Sequence, residues 1–369
     1  MRQPRPARPA RPLPERLSVG VDIGGTKVAA GVVDEAGRVL ERSQVPTPSH
    51  DPQAVEDAIV DAVNRLRERH AVEAVGIGAA GWVDNTQSVV RFSPHLAWRD
   101  EPLRAALGRR INLPLIVDND ANAAAWSEYR FGAGAGSSVM VCLTLGTGIG
   151  GGLVINGALF RGTYGMAGEW GHMTSVPGGH PCECGNRGCW EQYASGNALV
   201  REARALLGAG GPEAAHLRVA LGVGPEALTG PHVTAAAMAG DPVAVRLLAD
   251  VGTWLGLGIA NVVAGLDPEV VVIGGGVSAA GELLVGPARE AFQATLSGRG
   301  FRTYARLELA KFRNDAGLVG AADLARLALL EPPDSARFGF WPRRRKRRRE
   351  RSVRQLGSEA RARRRQLSA

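Results

Sequence analysis

The chain has 369 residues, 45% hydrophobic and 22% charged, enough for two α/β domains of ordinary size, and this excludes a wholly disordered protein. Its net charge of +8 belongs to the ends. Residues 335–369 carry fourteen Arg and Lys against two Glu, residues 1–16 carry five Arg against one Glu, and residues 17–334 are left at −8, so the body is mildly acidic.

Residues 1–16, MRQPRPARPARPLPER, lack the apolar stretch of a signal peptide or anchor and read as a disordered Pro/Arg-rich arm. No run of about 18 predominantly apolar residues stands out anywhere, so no membrane span is expected. Four cysteines, three of them in one short loop, fit a reducing cytoplasm better than a disulfide framework.

LSVGVDIGGTKVAAGVVDEAGRVLERSQV alternates β-rich segments with turns at Gly24-Gly25 and at DEAG, which predicts three consecutive antiparallel strands. A helix follows, with Asp51 as N-cap, Pro52 in the first turn, and Val55, Ile59, Val63 and Leu66 at helical spacing. VEAVGIGAAG and LPLIVDNDANAAAWSEYRFG each run a buried strand into a polar or glycine turn, the second continuing into an alanine-rich helix. Sliding the chain by 122 residues sets Gly24 on Gly146 and Val32 on Val154, each within a strand, glycine turn, strand pattern. Two like halves facing one another across a cleft are therefore expected, with a boundary near FGAGAGS, residues 131–137. WEQYASGNALVREARALL and DPVAVRLLADVGTWLGLGIANVVAGL read as helices, PEVVVIGGGVS as a buried strand ending in glycines, and NDAGLVGAADLARLALL as a last amphipathic helix. Residues 335–369 hold too few apolar side chains for a core and read as a disordered basic tail.

Three strand ends carry glycines, and amide N–H groups in such turns approach phosphate oxygens closely. In the first turn Asp22 precedes Gly24, Gly25, Thr26 and Lys27, adding a carboxylate for a metal, a hydroxyl and a cation. The pattern is neither GxxxxGK[ST] nor a GxGxxG that opens a helix, so neither a P-loop nor a dinucleotide fold is the favoured reading. In VDNDAN a strand delivers Asp118, Asn119 and Asp120 to its end just before a helix, a place that suits either helix capping or a general base. Cys182, Cys184 and Cys189, with His172 or His180, supply the three thiolates and one imidazole of a closed zinc site, although the spacing is not that of a tandem CxxC ribbon.

In order and spacing DIGGTK, DNDANAAAW, LGTGIGGGLVINGALFRG, AGEWGHM and CECGNRGCWEQYASG resemble the ROK family of sugar kinases and repressors, its bacterial glucokinase branch most of all in CGNRGCWEQYASGNAL. The resemblance covers about residues 17–330. It implies an α/β, two-domain, actin-like and hexokinase-type ATPase fold: duplicated ribonuclease H-like domains with an interdomain cleft. The small domain would span 17–131, completed by a helix at 315–330, and the large one 132–314 with the zinc loop at 172–189. The resemblance implies ATP, magnesium and a hexose in the cleft, glucose 6-phosphate as product, and Asp120 as the base. Gly81, Asn119, Asp120, Glu169, His172 and Glu191 would meet the sugar. Asp22 would help place magnesium through water, Gly24, Gly25, Thr26 and Lys27 would face phosphates, Gly146, Thr147 and Gly148 would form a second phosphate turn, and Gly274, Gly275 and Gly276 a wall beside the nucleotide. It selects His172 over His180 as the fourth ligand to zinc. A full Cys₃His shell has no open position, so that zinc is structural, with one ring nitrogen of His172 on the metal and the other free for a sugar hydroxyl.

Within the family another hexose or an N-acetylhexosamine remains open as acceptor, and polyphosphate as donor. ROK repressors carry a winged helix-turn-helix ahead of the kinase-like part, which sixteen Pro/Arg-rich residues do not form. Family members are commonly dimers or tetramers, so a homo-oligomer is expected. The arginine-rich tail has the composition for non-specific, salt-sensitive contact with polyanions, or for a solvated tail without a partner.

Overall fold

A computed structural model describes residues 16–330; most of the Pro/Arg-rich start and all of the basic tail lie outside the described residues. In chain order the first half contains β1 (Leu17–Ile23), β2 (Lys27–Val33), β3 (Val39–Pro46), α1 (Pro52–Arg67), β4 (Val72–Ala79), β5 (Trp82–Val83), β6 (Val90–Phe92), β7 (Arg99–Glu101), α2 (Leu103–Ile111), β8 (Leu115–Asn119) and α3 (Asp120–Phe131). The second contains β9 (Val139–Leu145), β10 (Ile149–Ile155), β11 (Ala158–Leu159), α4 (Glu191–Ala194), α5 (Gly196–Ala209), α6 (Gly211–Leu221), α7 (Gly230–Met238), α8 (Pro242–Leu266), β12 (Val270–Gly274), α9 (Glu282–Thr295), β13 (Arg306–Leu309) and α10 (Ala316–Leu330).

Two five-stranded sheets share one topology. Their strand orders are β3-β2-β1-β4-β8 and β11-β10-β9-β12-β13, each opening with an antiparallel hairpin and continuing through parallel neighbours. The internal repeat is reproduced residue by residue, since adding 122 to the bounds of β1 and β2 gives those of β9 and β10. On the outer face of the first sheet Val19, Val21 and Ile23 meet Val55, Ile59, Val63 and Leu66 of α1 and Leu103 and Leu107 of α2 in one core. Asp51 caps α1 as expected, accepting from the amides of Gln53 and Ala54.

Between the sheets lie α10 and α3, packed on each other, with α10 also on β1 and β4 and α3 on β9 and β10. This layer is thin because its contacts are backbone to backbone. A β-carbon on Gly20 would sit 1.8 Å from the carbonyl oxygen of Leu318, one on Gly76 1.9 Å from that of Ala321, and one on Gly320 1.7 Å from that of Ala123. The expected amphipathic helix at the end of the fold is accordingly buried all round from Ala316 to Ala322.

Two expectations are corrected. α8 is long and apolar enough to cross a membrane by length and composition, so such a run does exist. Here it is a core helix: Gly252 and Gly256 let it approach the backbone of α9, and Gly258 makes room for the Trp190 ring. The helix expected over 190–207 is broken at Ser195, which is extended and caps α5 by accepting from the Ala198 amide at 3.2 Å. The break lets the amide of Gly196 donate to the carbonyl of Gly146 at 2.9 Å, tying the helix start to the second glycine turn. A small third sheet, β5-β6-β7, also appears where no strand pattern is legible.

Gly320→Ala forces a methyl group into the α3 backbone and should destabilise the fold by about 3 kcal/mol in urea denaturation. A loss below about 0.5 kcal/mol would show that the helix pair adapts without strain.

Candidate active site

β1 places alternate side chains on opposite faces, so Val21 and Ile23 enter the outer core while Asp22 faces α10. There its carboxyl lies within 2.8–3.0 Å of where a β-carbon on Gly317 would be. The turn that follows is closed by the amide of Gly24 donating to the carbonyl of Lys27 at 3.0 Å, and pinned by Thr47, whose hydroxyl donates to Gly24 and whose amide donates to Thr26. A β-carbon on Gly24 would meet nothing closer than 3.8 Å, whereas one on Gly25 would strike His95.

β8 delivers the three polar residues to its carboxyl end. Nearly buried Asp118 accepts from Arg161 through Nε at 2.8 Å and Nη2 at 2.5 Å, and from Gln87 at 3.0 Å. Its role is thus to hold the strand end. Asn119 caps α3, accepting from the Asn122 amide at 2.9 Å, while its own amide group donates to the Gly81 carbonyl and to Asp120 Oδ1, both at 3.0 Å. Gly81 has φ +145°, and a β-carbon there would come 2.4 Å from the Phe92 carbonyl.

Asp120, the first residue of α3, is half-buried and lines a cavity. Burial, then the nearby charges of Asp22 and Glu169, push its pKa up to about 7. Burial raises Asp22 to about 6, with Lys27 opposing. Both open on a cavity of ≈ 660 Å³ whose lining also includes Lys27, Gly274, Gly275 and Arg313. Gly275 has φ +83° and packs against the backbone of Leu145, while a β-carbon on Gly146 or Gly276 would meet nothing within 4 Å. No packing demand explains glycine at those two positions, and the space beside their α-carbons is open.

Thr147 and Gly148 line a second cavity, of ≈ 750 Å³, together with Trp82, Phe92, His95, His172 and Glu191. The structure therefore divides the expected site residues between two neighbouring cavities, the others lying in the turns and walls around them. Glu169 links the two. Its charge acts on Asp120, its carboxylate accepts from the Trp82 indole, and it lies 3.9 Å from His172 Nε2. Glu191 Oε2 accepts from the Ile149 amide at 3.3 Å, a place a side chain on Gly148 would take.

In the cysteine loop the ligand atoms of His172, Cys182, Cys184 and Cys189 all lie within 4.8 Å of one another. Cys184 and Cys189 sulfurs are 3.6 Å apart, as are Cys182 Sγ and His172 Nδ1. Bonds of about 2.3 Å from zinc to sulfur and about 2.0 Å to nitrogen give tetrahedral edges of about 3.5–3.8 Å, so these residues fit zinc. His180 is outside the group: its ring packs on Tyr193 at 5.4 Å. With Nδ1 toward the sulfurs, His172 turns Nε2 toward Glu169. The loop is anchored on α8, where Trp190 donates to the Trp254 carbonyl at 2.8 Å and Tyr193 packs on the Trp254 ring. Arg161, Trp82 and Arg313 were missed in the sequence; Arg161 stands within LFRG, but nothing there pairs it with Asp118, 43 residues earlier.

The sequence matches the ROK family over residues 18–328. It is 50% identical over 311 residues to the glucokinase of Streptomyces coelicolor, covering 84% of this chain and 98% of that protein. Among solved structures it resembles a ROK family glucokinase from Streptomyces griseus in complex with glucose and AMPPNP, with a TM-score of 0.80 and 50% identity over 84% of this chain and 99% of that one. It also resembles a ROK hexokinase from Thermus thermophilus, with a TM-score of 0.70 and 36% identity over 86% of this chain and 100% of that one. Fold, motifs and relatives agree, and the chain belongs to the ROK family.

Proposed function

We propose that the chain is a glucokinase that uses ATP and magnesium to phosphorylate the 6-hydroxyl of glucose. The observation that carries this reading is Asp120, a carboxyl held at a helix start between the phosphate-friendly turns and the zinc loop, with its pKa raised to about 7. A base poised near the working pH takes a proton efficiently while ionised often enough to act. In the proposed step the 6-oxygen attacks the γ-phosphorus, the bond to the β,γ-bridging oxygen breaks, ADP leaves, and the hydroxyl proton ends on Asp120.

The remaining residues position and screen. Asn119, locked between the Gly81 carbonyl and Asp120, orients the base and offers its polar edge to the sugar. Glu169, His172 and Glu191 would fix the other hydroxyls. Asp22 and Lys27 would hold magnesium and phosphates at the cavity floor, and magnesium, when bound, neutralises phosphate charge. The turns formed by Gly24, Gly25 and Thr26, by Gly146, Thr147 and Gly148, and by Gly274, Gly275 and Gly276 would line the path of the phosphates and nucleotide, the amides of Gly24 and Gly146 being already used inside their own turns. Zinc on the Cys₃His set would order the sugar pocket without entering the chemistry. We further propose that residues 17–131 with 315–330 and residues 132–314 act as the two domains, that the chain is a homo-oligomer, and that it works in the cytoplasm. Glucose is preferred as acceptor, and ATP as donor, because the relatives at 50% identity are glucokinases and one carries glucose and AMPPNP.

With purified protein, Mg·ATP and a panel of hexoses and N-acetylhexosamines in a coupled assay, glucose should give the highest kcat/KM. Equal or better turnover of N-acetylglucosamine would overturn that assignment. Asp120→Asn should lower kcat for glucose by about 10³-fold, and wild-type turnover in this variant would remove Asp120 from the base role. Cys184→Ala should lose zinc by elemental analysis, raise the glucose KM and lower kcat together. A metal-free variant with unchanged kinetics would contradict the part given to the zinc loop.

A further inference from the structure

We propose that Arg313 grips the non-transferred phosphates of the nucleotide and so sets donor affinity; this rests on the kinase reading above. Residues 313–315 form one short helical turn leading into α10, and Arg313 adopts φ +50° there, the left-handed region that side chains other than glycine rarely occupy. Such a conformation at a cavity mouth points to a use for the side chain. No packing contact supplies one, because the side chain is exposed and makes no hydrogen bond or ion pair among the described residues. The nearest acidic residue in sequence, Asp315, is already taken by Arg42 at 2.6 Å.

Charge in the cavity gives the guanidinium its ligand. The lining carries three carboxyl groups, Asp22, Asp120 and Glu128, and only two side-chain cations, Lys27 and Arg313. Glu128 is satisfied from within, accepting from the amides of Ala133, Lys311 and Phe312 at 2.8–3.1 Å. A nucleotide that keeps negative charge even with magnesium needs both cations. Half-buried Asp120, the base in the reading above, and half-buried Asp22 mark the end where the transferred phosphate must lie, and exposed Arg313 marks the open end. The phosphates within its reach are those that stay on the nucleotide. Arginine suits this position because its planar fork pairs with two phosphate oxygens at once.

The test compares wild type, Arg313→Gly and Arg313→Lys by initial rates, by titration calorimetry with Mg·ADP and with adenosine, and by thermal melting. Glycine relaxes the left-handed position, so Arg313→Gly should melt higher than wild type. It should nevertheless raise the KM for ATP and the Kd for Mg·ADP about tenfold each, with the glucose KM and the adenosine Kd unchanged. Arg313→Lys should recover part of the affinity. Arg313→Gly with wild-type ATP KM and ADP Kd overturns the proposal, and so does an equal rise in the glucose KM. A wild type that binds Mg·ADP but phosphorylates no sugar overturns the kinase reading instead, and the ADP comparison then decides on Arg313 alone.

Discussion

The active-site geometry depends on the contact between the backbones of α3 and α10, where the Ala123 carbonyl occupies the space a β-carbon on Gly320 would need. Asp120 opens α3, and the first turn of α10 lies against Asp22 through Gly317. Pressing these helices together therefore brings two carboxyls from different strand ends to one cavity floor. Burial raises the energy of both charged forms, and the charge of Asp22 raises that of Asp120 further. A carboxyl with a raised pKa costs folding stability as it ionises, so this cost grows from the ordinary carboxyl range up to about pH 7. Close glycine packing in the sandwiched layer is what keeps the pair together.

Duplication explains why the cleft is lined by turns of the same kind from both sides. Each half starts with the same hairpin, and the strand ends of both sheets converge on the layer formed by α3 and α10. The halves differ in what is inserted. After β11 the second half carries the cysteine loop and then α4–α8, and the loop is held between its ligand cluster and α8 through Trp190, Tyr193 and Trp254. In this arrangement the imidazole of His172 has Nδ1 beside Cys182 and Glu191 and Nε2 directed toward Glu169. A cluster that suits a zinc finger thus lies against the second cavity, which His172 and Cys184 help to line.

Much of this was legible in the sequence because it follows local rules. The shift of 122 residues locates both hairpins, Asp51 and the spacing after it locate α1, and the strand before VDNDAN delivers Asp120 to a helix start. Separating His172 from His180 required the family resemblance, since both lie at workable distances along the chain. What was not legible depends on partners far apart in sequence. α8 is legible as a helix, but its place in the core, covered by α9 and Trp190, is not, and Ser195 breaks a helical pattern because Gly196 must reach the Gly146 carbonyl. The pairing of Arg161 with Asp118, and the left-handed backbone at Arg313, have no local signature at all.

The central claim is that Asp120 is a base whose proton affinity is raised by its enclosed place beside Asp22 and Glu169. The pH dependence of kcat/KM for glucose, at saturating Mg·ATP, tests it most directly, because that parameter reports ionisations of the enzyme before the sugar binds. With a pKa of about 7, Asp120 is ionised above that value and protonated below it, so kcat/KM should be level above about pH 8 and fall tenfold per pH unit below about pH 6. A profile that stays flat down to about pH 5 would mean that no carboxyl with a raised pKa takes the proton, and would contradict the account.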